Sequence, residues 1–130
     1  MGNELKLSIP KGCDNAPRKK ILKDFMVATV TKDTAFLREN ISDQITWNIV
    51  GQEVVEGEEA FFKRMDELHE GTISELTILD IITHGYVASA HGTVIGTNQS
   101  YDFNHVFRFT GATKTAKIKT ITSYLIPRDE

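Results

Sequence analysis

The stretch that decides the fold is Tyr101-Asp102-Phe103-Asn104-His105-Val106-Phe107-Arg108-Phe109. Every odd position carries a ring: Tyr101, Phe103, His105, Phe107 and Phe109. The even positions carry Asp102, Asn104, Val106 and Arg108. A period of two is a β-strand with one bulky face and one mostly polar face. Burying one phenylalanine contributes about 1.5–3 kcal/mol, so this strand carries much of the core. His105 stands in the middle of the stripe. An imidazole titrates near physiological pH, which makes it the first side chain to question about chemistry.

Three more strands surround this one: Leu76–Thr83, Tyr86–Ile95 and Lys117–Ile126. Turns are expected near Gly85, at Thr97-Asn98-Gln99 and at Gly111-Ala112-Thr113-Lys114. Helices come first. Asp14 or Asn15 is placed to cap a helix with Pro17 in its first turn and Ile21, Leu22, Phe25, Met26 and Thr29 on one face. Asp33 or Thr34 is placed to cap a second, short helix carrying Ala35, Phe36, Leu37 and Ile41. A strand over Ile45–Gly51 follows, then a turn or short strand to Gly57. Glu58 and Glu59 open a third helix, where acidic residues suit the positive end of the dipole. Its stripe is Phe61, Phe62, Met65 and Leu68, and Gly71 stops it. Residues 1–14 read as an N-terminal arm, with Leu5, Leu7 and Ile9 alternating as a short edge strand before Pro10. Residues 15–130 read as a single domain. Helices gathered before a run of antiparallel strands is an α+β pattern.

The chain of 130 residues is 40% hydrophobic and 25% charged, with a net charge of −3. A single core is within reach of that length. The charge gives no basic field for nucleic acid. No apolar run spans a membrane, and Met1–Lys6 lack a signal core, so the expectation is a cytoplasmic protein. Cys13 is the sole cysteine and reads as incidental. The basic cluster Arg18, Lys19, Lys20 and Lys23 reads as a solvated helix face. His69, His84, His91 and His105 show no metal-ligand spacing. No phosphate loop, nucleophile elbow or Cys–His pair is present, and neither metal nor cofactor is expected.

A two-residue turn at Asn98-Gln99 sets His105 opposite Gly92, Phe107 opposite Ala90 and Phe109 opposite Ala88. Large residues then face small ones, as a filled inner face needs. This register keeps His91 on the other face from His105; a three-residue turn would set His91 opposite His105, and the match of large to small residues favours the first.

The order of these segments resembles a known family. Two helices precede Thr46-Trp47-Asn48-Ile49-Val50-Gly51, Val55-Glu56-Gly57 opens a third helix, and the last strands hold Val106-Phe107-Arg108-Phe109 and Ile118-Lys119-Thr120-Ile121. From Asn15 to Ile126 this resembles the nuclear transport factor 2-like superfamily, in particular its polyketide-cyclase-like (SnoaL-like) bacterial branch. The resemblance implies an α+β cone: a strongly curved mixed or antiparallel sheet, with three helices from the N-terminal half on its concave face. It also implies a pocket between helices and sheet, and a homodimer through the outer sheet face. Carried over from ketosteroid isomerase by position, the oxyanion-hole acid becomes His105, the general base becomes Asn48 and the catalytic tyrosine becomes Phe25. An amide is no useful base and a phenyl ring donates no hydrogen bond, so that reaction is not expected. The Asp-Arg-Asp set of the epoxide-hydrolase type is incomplete.

The expected site therefore has His105 as acid/base or as hydrogen-bond donor. Phe25, Asn48, Tyr101, Phe103, Phe107, Ile121 and Ser123 contact the ligand. Ser123 faces inward with Ile121 and Leu125 by the family alignment. Trp47 is expected at the core edge or a dimer interface, and Asp80 has no assigned face. Three readings follow. The first is a small-molecule-binding domain with a mostly apolar pocket. The second is an isomerase, dehydratase or cyclase type of enzyme using His105. The third is a dimerisation or interaction module with no ligand. Pocket volume separates the last from the others.

Overall fold

The computed structural model describes residues 5–113 and 115–128, apart from the Asp14 side chain. The leader reading of Met1–Glu4, the Asp14 cap and Lys114 of the last turn lie outside what is described.

Seven strands form one mixed sheet. They are β1 (Lys6–Ser8), β2 (Ile41–Ile49), β3 (Glu53–Glu56), β4 (Ile73–His84), β5 (Val87–Gly96), β6 (Tyr101–Phe109) and β7 (Ile118–Pro127). Their order across the sheet is β1-β4-β5-β6-β7-β2-β3. β1 runs parallel to β4, and β2 parallel to β7; the other neighbours are antiparallel. β6, the stripe strand, is central and paired on both sides. The helices are α1 (Pro17–Thr31), α2 (Thr34–Asn40) and α3 (Glu58–Leu68). α1 packs on β4 and α3 on β2. Their apolar faces meet the inner face of the sheet in one core, where Leu22, Phe25, Trp47, Phe61, Phe107 and Ile118 are almost wholly buried.

Local chemistry accounts for most boundaries. The Asp33 side chain accepts from Phe36 N at 3.2 Å and starts α2, the capping that satisfies a free helix N–H. α1 begins differently from expectation: Ala16 holds the cap position without a side-chain bond, and Asn15 belongs to a 3-10 turn over Cys13–Asn15. α2 ends at Asn40, so Ile41 opens β2 rather than closing the helix. Gly71, at φ +86°, turns the chain out of α3.

The β5–β6 register differs from expectation by two residues. Phe107 faces Ala88, His105 faces Ala90 and Phe103 faces Gly92. The connection is four residues long, because the Ser100 hydroxyl accepts from Gly96 N at 3.1 Å and closes it. A slip of two preserves side-chain parity. Large still meets small, and His91, opposite Asn104, remains on the outer face. Gly92 is tight for a reason: a Cβ there would lie 1.8 Å from the Thr77 carbonyl oxygen.

Candidate functional site

Strand pairing sorts the side chains into faces. One row across the inner face runs Ile81, Ala90, His105, Ser123 and Ile49; the next holds Ala88, Phe107, Ile121 and Trp47. Between these rows and helices α1 and α3 lies a hollow of about 30 Å³. About 10–15 Å³ of such space admits one water, so the hollow holds roughly two. Phe25, Tyr101, Phe103, His105, Phe107, Ile121 and Ser123 all line it. The expectation for Asn48 does not hold. Its neighbour Trp47 pairs with inward Ile121 and lines the hollow, so alternation along β2 turns Asn48 to the other face, beside Thr122 and Val54. Trp47 is accordingly in the core, 2% exposed, rather than at an edge. Asp80 is on the outer face, exposed, and its Oδ2 lies 2.9 Å from His91 Nε2.

Two polar chains cross the apolar wall. In the first, the Trp47 indole N–H donates to Ser123 Oγ at 2.8 Å, and Ser123 Oγ lies 2.7 Å from His105 Nδ1. Ser123 is fully buried. Assigning its hydroxyl proton to His105 Nδ1, the one acceptor among the described residues, makes Nδ1 the acceptor and puts the ring proton on Nε2. Nε2 has no protein partner among the described residues. No fully buried side-chain nitrogen or oxygen described lacks one, so Nε2 is within reach of a water-sized sphere. Phe103 stacks on the imidazole with centroids 4.6 Å apart, and Phe107 meets it edge-on at 5.8 Å. Burial pushes the His105 pKa down to about 3, helped by the nearby His69. The ring is thus neutral at pH 7 and offers a donor.

His69, absent from the expected site, anchors the second chain. It follows the last turn of α3, one helical repeat beyond Met65, and is 2% exposed. Its Nδ1 lies 3.1 Å from the Thr29 carbonyl oxygen, so Nδ1 donates. Its Nε2 is then the acceptor for the Tyr101 hydroxyl at 2.6 Å. Burial pushes the His69 pKa down to about 4 and raises that of Tyr101. The four-residue spacing from Met65 was the available signal for His69. No carboxylate lines the hollow among the described residues, and His69 has both ring nitrogens engaged.

Solved structures share this architecture. An NTF-2 like protein of unknown function from Burkholderia xenovorans LB400 superposes with a TM-score of 0.71 at 13% identity, over 92% of this chain and 89% of that one. The chain has the nuclear transport factor 2-like fold. A SnoaL-like, polyketide-cyclase-type protein from Shewanella denitrificans OS-217 matches at 0.67 and 10% identity, over 82% of this chain and 88% of that one. An LEH-like epoxide hydrolase of M. tuberculosis matches at 0.61 and 16% identity, over 82% and 80%. At these identities the nuclear transport factor 2-like likeness is one of fold, and function has to be argued from the site. No family sequence model and no curated protein matches the chain. Among the described residues no helix is long and apolar enough to cross a membrane.

Proposed function

We propose that the protein is a small-molecule-binding domain whose ligand is uncharged, mostly apolar, and carries one hydrogen-bond acceptor received by His105 Nε2–H. The observation that carries this reading is the Trp47–Ser123–His105 chain, which fixes one N–H donor at the wall of an apolar hollow. A charged ligand would lose its hydration there without a counter-charge. By the volume criterion the hollow as it stands, about 30 Å³ against the ~300–1,000 Å³ of ordinary ligand pockets, favours the interaction-module reading, and ligand binding requires it to open. Met26 and Met65 line it from α1 and α3, and unbranched thioether side chains repack at low cost, so ligand entry displaces them. Phe25, Tyr101, Phe103, Phe107 and Ile121 would then pack on its apolar body.

Acid–base catalysis is less well supported. A neutral imidazole with Nδ1 occupied and a pKa near 3 is not a base at pH 7, and the wall holds no carboxylate to serve instead.

We further infer a homodimer through the outer sheet face. Leu79, Ile82, Tyr124 and Ile126 are about half or more exposed, and an exposed apolar patch marks an interaction surface.

The binding test is a titration followed at the Trp47 indole N–H, using cyclohexanone against benzene. The ketone should bind about ten-fold tighter, one hydrogen bond's worth, and His105→Leu should abolish that preference. Equal binding of the two, or no response from the indole, would discard the reading.

A further inference from the structure

A second concavity, of about 220 Å³, opens at the end of the sheet where α3, the β2–β3 turn, the 97–100 connection and the end of β7 meet. Tyr101 and Leu68 line both this space and the inner hollow. Its chemistry is the reverse of the hollow's. Arg64 and Arg128 line it, with the amides of Gln52, Asn98 and Gln99, and no aspartate or glutamate does so among the described residues.

Each guanidinium is paired with a carboxylate outside the groove, and Arg64 is also held by Gln52 within it. Arg64 Nε donates to Glu53 Oε2 at 2.7 Å, and its Nη2 to Gln52 Oε1 at 3.2 Å. Arg128 Nη1 donates to Asp102 Oδ1 at 2.9 Å. Glu53 and Asp102 themselves line other faces. The backbone N–H of Arg128 donates to Ser100 O at 2.9 Å, which pins the strand end against the connection. These contacts orient the two forks and use only part of them. Arg64 Nη1, and Arg128 Nε and Nη2, have no hydrogen-bond partner among the described residues. An arginine fork matches a planar two-oxygen acceptor. Leu68, Leu125 and Pro127 supply an apolar side to the same groove.

We propose that this groove is a carboxylate-binding site for a small organic acid with a short apolar tail. The carboxylate takes the free donors of Arg64 and Arg128, and the tail lies against Leu68, Leu125 and Pro127. A carboxylate fits better than a phosphate because only two guanidinium groups line the groove, each already paired with a carboxylate of its own, Glu53 and Asp102, and because the apolar side rewards a tail.

The site goes beyond the inner hollow and stands or falls separately. The test is an amide and guanidinium NMR titration of the full chain with hexanoate, hexanamide and inorganic phosphate. It is read at Asn98, Gln99, Ser100 and Arg64 Nε–H, none of which lines the hollow. Hexanoate should shift these signals with an affinity that falls as salt rises, and hexanamide should bind at least about ten-fold more weakly. Arg64→Gln and Arg128→Gln should each weaken hexanoate about ten-fold. Arg108→Gln, which removes an equal charge over the Tyr86 ring, should leave it unchanged. Hexanoate binding that ignores Arg64→Gln, falls equally with Arg108→Gln, or is absent would overturn the proposal. So would tighter binding of phosphate than of hexanoate.

Discussion

Replacing Ser123 by alanine is the perturbation that probes the buried polar chain most sharply. The substitution removes one oxygen from a residue with no exposure. That oxygen has two partners, the Trp47 indole N–H at 2.8 Å and His105 Nδ1 at 2.7 Å. An orphaned buried donor or acceptor costs about 1–3 kcal/mol. Two orphans, offset by the hydroxyl no longer needing burial and by whatever water reaches Nδ1 from the hollow, give a loss of roughly 2–4 kcal/mol. For a chain of this size that lowers Tm by about 8–16 °C. The assay is equilibrium urea unfolding of Ser123→Ala, of His105→Leu and of the double variant. In the His105→Leu background one orphan is already gone, so Ser123→Ala should cost about 1 kcal/mol or more less there. A cost below about 0.5 kcal/mol in the wild-type background, with additive singles, would refute the relay.

Other expectations follow from the same geometry. His69 and His105 have folded pKa values of about 4 and 3, depressed below the ordinary 6.5 by burial. Below about pH 6.5 the unfolded chain therefore binds protons that the folded chain refuses, and stability falls as pH drops. The loss reaches on the order of 3 kcal/mol for the buried His69 near pH 4, is smaller for His105, which is partly exposed, and vanishes above about pH 7; urea midpoints across that range would show it, and a flat profile would contradict it. Gly92→Ala sets a Cβ against the Thr77 carbonyl oxygen at 1.8 Å and should cost about 3 kcal/mol or more by breaking the β4–β5 ladder. Wild-type stability in that variant would show the contact to be wrongly placed. Tyr124→Lys with Ile126→Asp on the outer face should turn a dimer into a monomer by sedimentation, whereas an unchanged mass would move the interface elsewhere.

Much of this was legible in the sequence because a strand alternates strictly. Tyr101, Phe103, His105, Phe107 and Phe109 declared a face, and an error of two in the hairpin register could not change it. The register itself depended on the Ser100 hydroxyl closing a four-residue connection, a contact that turn residues alone do not announce. Asn48 was placed by position relative to Gly51, although the bulk of Trp47 argued that the indole takes the interior and its neighbour the outside. Asp80 had no readable face because β4 carries a register irregularity between Ile78 and Asp80; Ile78 and Ile81 are both buried across it. His69 is hard to read as a site residue because it lies just beyond the apolar stripe of α3, though four residues after Met65. The groove of Arg64 and Arg128 joins a helix to a strand end 64 positions away in the chain, a juxtaposition only the fold creates.

The protonation of one ring decides the site. Nitrogen NMR of the His105 imidazole, followed from neutral pH down to about pH 4, reads it directly. The structure predicts a proton on Nε2, an accepting Nδ1 and no titration over that range. A proton on Nδ1, or a midpoint near the ordinary 6.5, would mean that Ser123 does not set the ring and that no fixed donor faces the hollow.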